Sequence, residues 1–159
     1  MNKILKDWFI VILITILVLS PWPILALSIK PKTYPHIVAI PTDGPTLSSG
    51  VNPFFARSRY FVIVDLKNNK IKAIKNPFKA EKHAVGLRIA HLLLDEKAGI
   101  VIAKNIGPEP FNNLSARGAQ IYVGNPNTVQ DAITQLNNNM LFKVEKPTVP
   151  VHYGLKQQK

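Results

Sequence analysis

The chain has 159 residues, 47% of them hydrophobic, with 20 Lys and Arg against 9 Asp and Glu for a net charge of +11. That length allows one ordinary domain and excludes a multi-domain machine. With no cysteine, a disulfide framework, a thiolate zinc site and a Cys-ligated iron-sulfur cluster are all excluded, so any metal must be held by His, carboxylate or backbone, or arrive inside a preformed cofactor.

The amino terminus carries the most concentrated signal. From Trp8 to Ile29 there is no charged residue in 22 positions, enough at about 1.5 Å per residue to cross a hydrocarbon core of roughly 30 Å. Residues 1–29 are therefore expected to form a single-pass membrane anchor. A secretory signal is the competing reading: Lys3 and Lys6 supply a basic start, Pro21 and Pro23 break the helix, and Ala26 and Ser28 would permit cleavage after Ser28. The apolar run is longer than the usual signal core, which favours the uncleaved anchor. Lys30 and Lys32 balance Lys3 and Lys6, so the positive-inside rule does not choose a side for the soluble part.

Residues 30–36 read as a stiff linker with prolines at 31 and 35. A β-branched run at 36–41 predicts a strand, ended by the turn around Gly44 and Pro45. Residues 59–66 and 70–76 predict a hairpin joined by Lys67, Asn68 and Asn69, with the lysine-rich second strand at a sheet edge. Val85, Ile89, Leu92 and Leu93 have the spacing of a buried helical face over Ala84 to Lys97, with Gly99 closing the helix. Residues 99–105 predict a strand covered on both faces, and Gly107-Pro108 opens a second helix that Gly118 stops. Residues 119–124 predict another buried strand. Thr128, with Asp131 three residues on, caps a last helix carrying Val129, Ala132, Ile133 and Leu136. The result is one α/β domain over 37–137, followed by a basic tail, 138–159, in which Met140, Leu141, Phe142, Val144 and Val149 could still pack locally.

Neither a nucleophile-base pair nor paired carboxylates, HExxH, a P-loop or GxGxxG can be located, so an enzyme is not expected. The chemistry left is that of loops at the carboxyl ends of strands, where α/β sheets bind ligands. Three such loops stand out: Pro41 to Ser58, Lys79 to Gly86, and Asn105 to Pro108. Free N–H groups at the two helix starts could hold an anion, and Gly86 and Gly107 would permit its close approach.

The strand at 37–41 with Thr42-Asp43-Gly44, the block from Asn52 to Asp65, Gly86 before a leucine-rich helix, and the stretch from Asn105 to Gly124 together resemble the dinitrogenase iron-molybdenum cofactor biosynthesis domain family. The resemblance runs from about Ile37 to Leu136. It implies a ribonuclease H-like, three-layer α/β fold with a mixed five-stranded sheet, and non-catalytic carriage of an iron-sulfur or iron-molybdenum type cluster. Where the family commonly reads Pro-His-Phe-Gly-Arg, this chain reads Pro53-Phe54-Phe55-Ala56-Arg57, so Phe54 removes a plausible metal ligand and Ala56 a glycine. The approach to the first helix is altered as well, over 80–86.

The implied cofactor-binding set is Arg57, His83, Gly86, Asn105, Gly107 and Pro108, with His83 as a replacement metal ligand. Arg57 could equally be a surface cation or a partner of Asp65, and His83 a solvated loop residue. His91 reads as structural, His36 and His152 have no visible partners, and Asp43 reads as a turn former. The lysines at 67, 70, 72, 75, 79 and 82 form a basic band that is either a solvated face or a membrane or polyanion surface. Expected partners are the membrane, through residues 8–29, and a protein that donates or accepts a metallocluster. Nucleic acid is not expected, since no row of aromatic residues is interleaved with these lysines. The alternative is a scaffold that kept the fold, lost the cluster site and binds an acidic partner or membrane surface.

Overall fold

The computed structural model describes residues 34–151 and 153. The expected anchor at 1–29, its cleavage point and linker residues 30–33 lie outside the described residues, as do His152 and the last six positions. Among the described residues no helix is long and apolar enough to cross a membrane.

The strands are β1 (Tyr34–Thr42), β2 (Tyr60–Asp65), β3 (Lys70–Lys75), β4 (Ala98–Ala103), β5 (Gln120–Val123) and β6 (Phe142–Lys143). The helices are α1 (Val85–Asp95), α2 (Pro108–Ala116) and α3 (Val129–Asn137). The strands form one mixed sheet in the order β3-β2-β1-β4-β5-β6, with β1, β4 and β5 parallel and the others antiparallel to their neighbours. The sheet therefore has six strands rather than five. The sixth comes from the expected tail: Lys143 and Phe142 pair with Tyr122 and Val123.

The period-2 pattern sorts each strand onto two cores. Ala39, Phe61, Ile63, Val101, Ala103 and Ile121 face α1 and α2, where Val85, Ile89, Leu93, Phe111 and Leu114 bury their side chains. Val38, Ile40, Val62, Val64, Ile100 and Ile102 face the opposite way, toward Val129 and Ala132 of α3 and Leu141. Burial of Leu141, with Val144 packed on the first core, carries the domain past residue 137. The crossovers β1 to β4 and β4 to β5 run in the same direction along the sheet, which puts α1 and α2 on one face.

Two boundaries differ from the sequence reading. The sheet already begins at Tyr34, so 34–36 of the expected linker belong to β1, where a register shift between Tyr34 and Val38 accommodates Pro35. His36 there has partners after all, the Tyr34 ring edge-on at 5.8 Å and the Asp65 carboxylate at 4.0 Å. Gly99 does not close α1. Lys97, at φ 63°, makes that turn, whereas a Cβ at Gly99 would collide with the Tyr34 carbonyl of the adjacent strand.

Candidate anion-binding cleft

A cleft of about 280 Å³ opens at the carboxyl ends of β1 and β4. All six residues singled out from sequence line it: Arg57, His83, Gly86, Asn105, Gly107 and Pro108. They come from three loops whose spacing is set by a small number of polar braces. Arg57 donates from Nη1 to the carbonyls of Lys79 (2.8 Å) and Glu81 (2.6 Å), so it ties the loop after β1 to the loop before α1 and makes no pair with Asp65. Buried Asn76 donates to the carbonyls of Ala56 and Ser58, and Arg88 holds the Glu81 carboxylate at 2.9 Å. Asn105 reaches across to the Pro53 carbonyl at 3.4 Å.

Only part of the first expected loop reaches the cleft. Residues 43–51 turn away onto α3, where the carbonyls of Ser49 and Leu47 accept from the N–H groups of Val129 and Gln130, and Thr128 Oγ1 accepts from Asp131 N–H. The start of α3 is thereby saturated. Asp43 braces this loop by accepting from Asn52 Nδ2 at 2.6 Å.

The start of α1 is different. Its N-cap, Ala84, sits in the left-handed region at φ 53°, no side chain caps the helix, and no acidic residue lies in its first turn. No described group accepts from the N–H of Val85, Gly86 or Leu87. Holding an alanine in that region costs about 1 to 2 kcal/mol, a strain of the kind found at ligand sites. The start of α2 offers less than its Gly-Pro signature promised. Pro108 and Pro110 have no N–H, and Phe111 N–H is taken by the Gly107 carbonyl, leaving Gly107 and Glu109 as donors.

The two glycines also part company. A Cβ on Gly86 would stand 2.7 Å from Pro110 Cδ and 3.3 Å from Glu109 Oε2, so this glycine lets α1 and α2 approach each other. A Cβ on Gly107 would meet nothing nearer than the Pro150 carbonyl at 4.0 Å, and its φ of −81° suits any residue. Absence of a side chain there keeps space in the cleft.

Several wall residues lie outside the set assigned to the site from the sequence. Val149, Pro150, Val151 and Tyr153 close one side, strapped down where Thr148 accepts from Ile106 N–H through Oγ1 and donates its own N–H to the Ile106 carbonyl, both at 2.9 Å. Phe54 packs against Tyr153 with ring centroids 6.0 Å apart. Lys82 adds a cation to the rim. Glu109, the one carboxylate of the lining, was legible as an acidic residue in the first turn of a helix. Charges of the lining are thus Arg57 and Lys82 against Glu109, with the His83 imidazole beside them.

A profile of the family described as "dinitrogenase iron-molybdenum cofactor" matches residues 36–139. The chain belongs to this family. An uncharacterised protein of Methanocaldococcus jannaschii is 30% identical over 111 residues, covering 68% of this chain and 91% of the relative. The NMR structure of a putative NifB protein from Thermotoga aligns with a TM-score of 0.65 and 32% identity, over 72% of this chain and 97% of the other. The apo form of the orange protein from Desulfovibrio gigas shares the fold, with a TM-score of 0.71 at 24% identity over 74% of this chain and 100% of the other. Family membership fits a cofactor-binding or carrier role.

Among the described residues no three His, Cys, Asp or Glu side chains come together to hold a metal ion. Among those residues no such set surrounds His83, and Phe54 supplies no donor. Uncapped amides and cations beside apolar walls suit an anionic ligand.

Proposed function

We propose that this chain is a non-catalytic carrier that holds an anionic metallocluster or related cofactor in the cleft, and that the run from Trp8 to Ile29 anchors it to a membrane. One observation carries the reading: three consecutive N–H groups, Val85 to Leu87, have no acceptor among the described residues, and Val85 and Gly86 line a cleft shared with Arg57, Lys82 and His83. Backbone donors at a helix start favour negative charge, and apolar walls lower the local dielectric so that each contact counts for more. No group of three ligating side chains gathers among the described residues, so on this reading the cargo arrives with its ligands complete and leaves by losing amide and side-chain contacts to an acceptor protein. Carriage of this kind requires no bond to form or break on the protein.

The test is an amide-resolved NMR titration of the detergent-solubilised full chain, with molybdate as a stand-in anion and then with a cluster donor under anaerobic conditions. Shifts concentrated at Val85, Gly86 and Leu87 are expected. Shifts spread along the lysines of β3, with α1 unmoved, would contradict the carrier and favour the scaffold that kept the fold and binds acidic partners. Phe54, packed on Tyr153 where the family commonly has histidine, is the observation that favours that second reading.

A further inference from the structure

The polarity of the sheet sets which end of the domain can meet a bilayer. β1 begins at Tyr34, five positions after the uncharged run ends at Ile29, so the connection spans at most about 18 Å when fully extended. β1 itself then carries the chain about 30 Å over nine residues before the cleft is reached. The tether is shorter than the strand.

Register places other elements at the same end as Tyr34. Ile37 pairs with Asp65 and Asp65 with Lys70, so the β2–β3 turn with Lys67 and Lys70 lies there. So do the last turns of α1 and α2, which lead into β4 and β5, with Lys97 and Arg117. These four cations are exposed, and Lys97 Nζ stands 5.4 Å from the centre of the Tyr34 ring, beside the point where the chain enters the sheet. The acidic groups at this end are Asp65, Asp95 and Glu96, and Glu145 follows β6 toward it beside the cation Lys146. Asp65 accepts from the N–H groups of Lys67 and Asn68 and from the Asn68 side chain, and Glu96 is paired with Lys72 at 2.6 Å. Asp95 and Glu145 are the acids left to oppose the four cations and Lys146, and Lys30 and Lys32 add to the cations in sequence. The basic band along the lysines of 67–82 is accordingly two groups, since Lys75 is paired by register with Tyr60 at the cleft end of the sheet.

We infer that the end of the domain bearing Lys67, Lys70, Lys97 and Arg117 faces an anionic lipid surface, and that the cleft points away from it. The inference rests on the anchor reading above and holds whichever side of the membrane the domain occupies. Cargo would then be exchanged with a partner beyond the bilayer surface rather than with the bilayer.

Because the chain has no cysteine, single labels can be placed at will. Full-length Asn68→Cys and Ser115→Cys report on the end with Tyr34, and Lys82→Cys and Ser48→Cys on the cleft end. Each is labelled with a fluorophore and reconstituted into phosphatidylcholine–phosphatidylserine vesicles carrying a headgroup quencher. Quenching several-fold stronger at 68 and 115 than at 82 and 48 is expected, with the difference reduced by Lys67→Glu with Lys70→Glu. Equal or reversed quenching in chains that float with the vesicles overturns the orientation while leaving the anchor intact. Insensitivity to the charge reversal overturns the role of anionic lipid, and failure to float at all overturns the anchor and this inference with it.

Discussion

Gly86 and Gly107 look alike in the sequence, as glycines at the starts of two helices, yet the space around them differs. Gly86→Ala drives a methyl into Pro110 and should cost about 1 to 3 kcal/mol. Gly107→Ala meets open space at an ordinary φ, so it should leave stability unchanged or raise it by about 0.5 kcal/mol while weakening anion binding. Denaturant melts of the two variants beside the NMR titration check the pair, and equal destabilisation would contradict the packing described. Arg57 was legible as a cleft residue but not as a brace, because a guanidinium that recognises anions is equally suited to bind two carbonyls. Asp65 gives a pH dependence. The Asn68 side chain foremost, then the N–H groups of Asn68 and Lys67 and the nearby His36, hold its carboxyl below the ordinary aspartate value, against a smaller opposing effect of burial. A depressed carboxyl favours the fold while ionised. Its contribution is present at neutral pH and is lost as pH falls below about 4 toward the lower folded value. Asp65→Asn should flatten the decline in stability over that acid range, as read by melts at stepped pH.

Helices and strands were legible wherever one periodicity ruled a whole segment. The edge position of β3 follows from its lysines, β4 from its unbroken apolar run, and the start of α3 from Thr128, whose hydroxyl accepts from Asp131 N–H at 3.2 Å. Elements defined by long-range partners were not legible. β6 is two residues long, too short for any period, and exists because Tyr122 and Val123 lie beside it. The strap from Thr148 to Tyr153 depends on Ile106, forty-two positions earlier than its threonine. Gly99 misled because glycine after a helix most often ends it, whereas here the constraint comes from Tyr34 on a neighbouring strand. Leu141 measures what the carboxyl-terminal segment contributes. It is 8% exposed among Ile100, Ile102 and Val129, and Leu141→Ala should cost about 2 to 4 kcal/mol in a denaturant melt. A loss below about 0.5 kcal/mol would return these residues to the status of a tail.

Considered as a whole, the described domain carries two distinct features at opposite ends of its strands. Chain entry and four exposed cations stand at one end of β1, and the unused amides of α1 stand at the other, behind a wall of apolar residues. The six residues that the family resemblance implied line one cleft because the loops that carry them follow strands whose carboxyl ends the sheet brings together. Sequence reasoning could not find the strap or the saturation of α3, since both depend on which carbonyl meets which N–H. The central claim is that this cleft holds an anionic metallocluster without ligating it. Anaerobic isolation of the full chain in detergent, incubation with a cluster donor, and analysis for iron, molybdenum and sulfide test it most directly. Metal and sulfide that co-elute in fixed ratio with the protein, retained in His83→Ala and lost in folded Lys82→Glu, are the predicted result. Protein that stays metal-free, or whose metal is lost with His83 alone, would contradict the account.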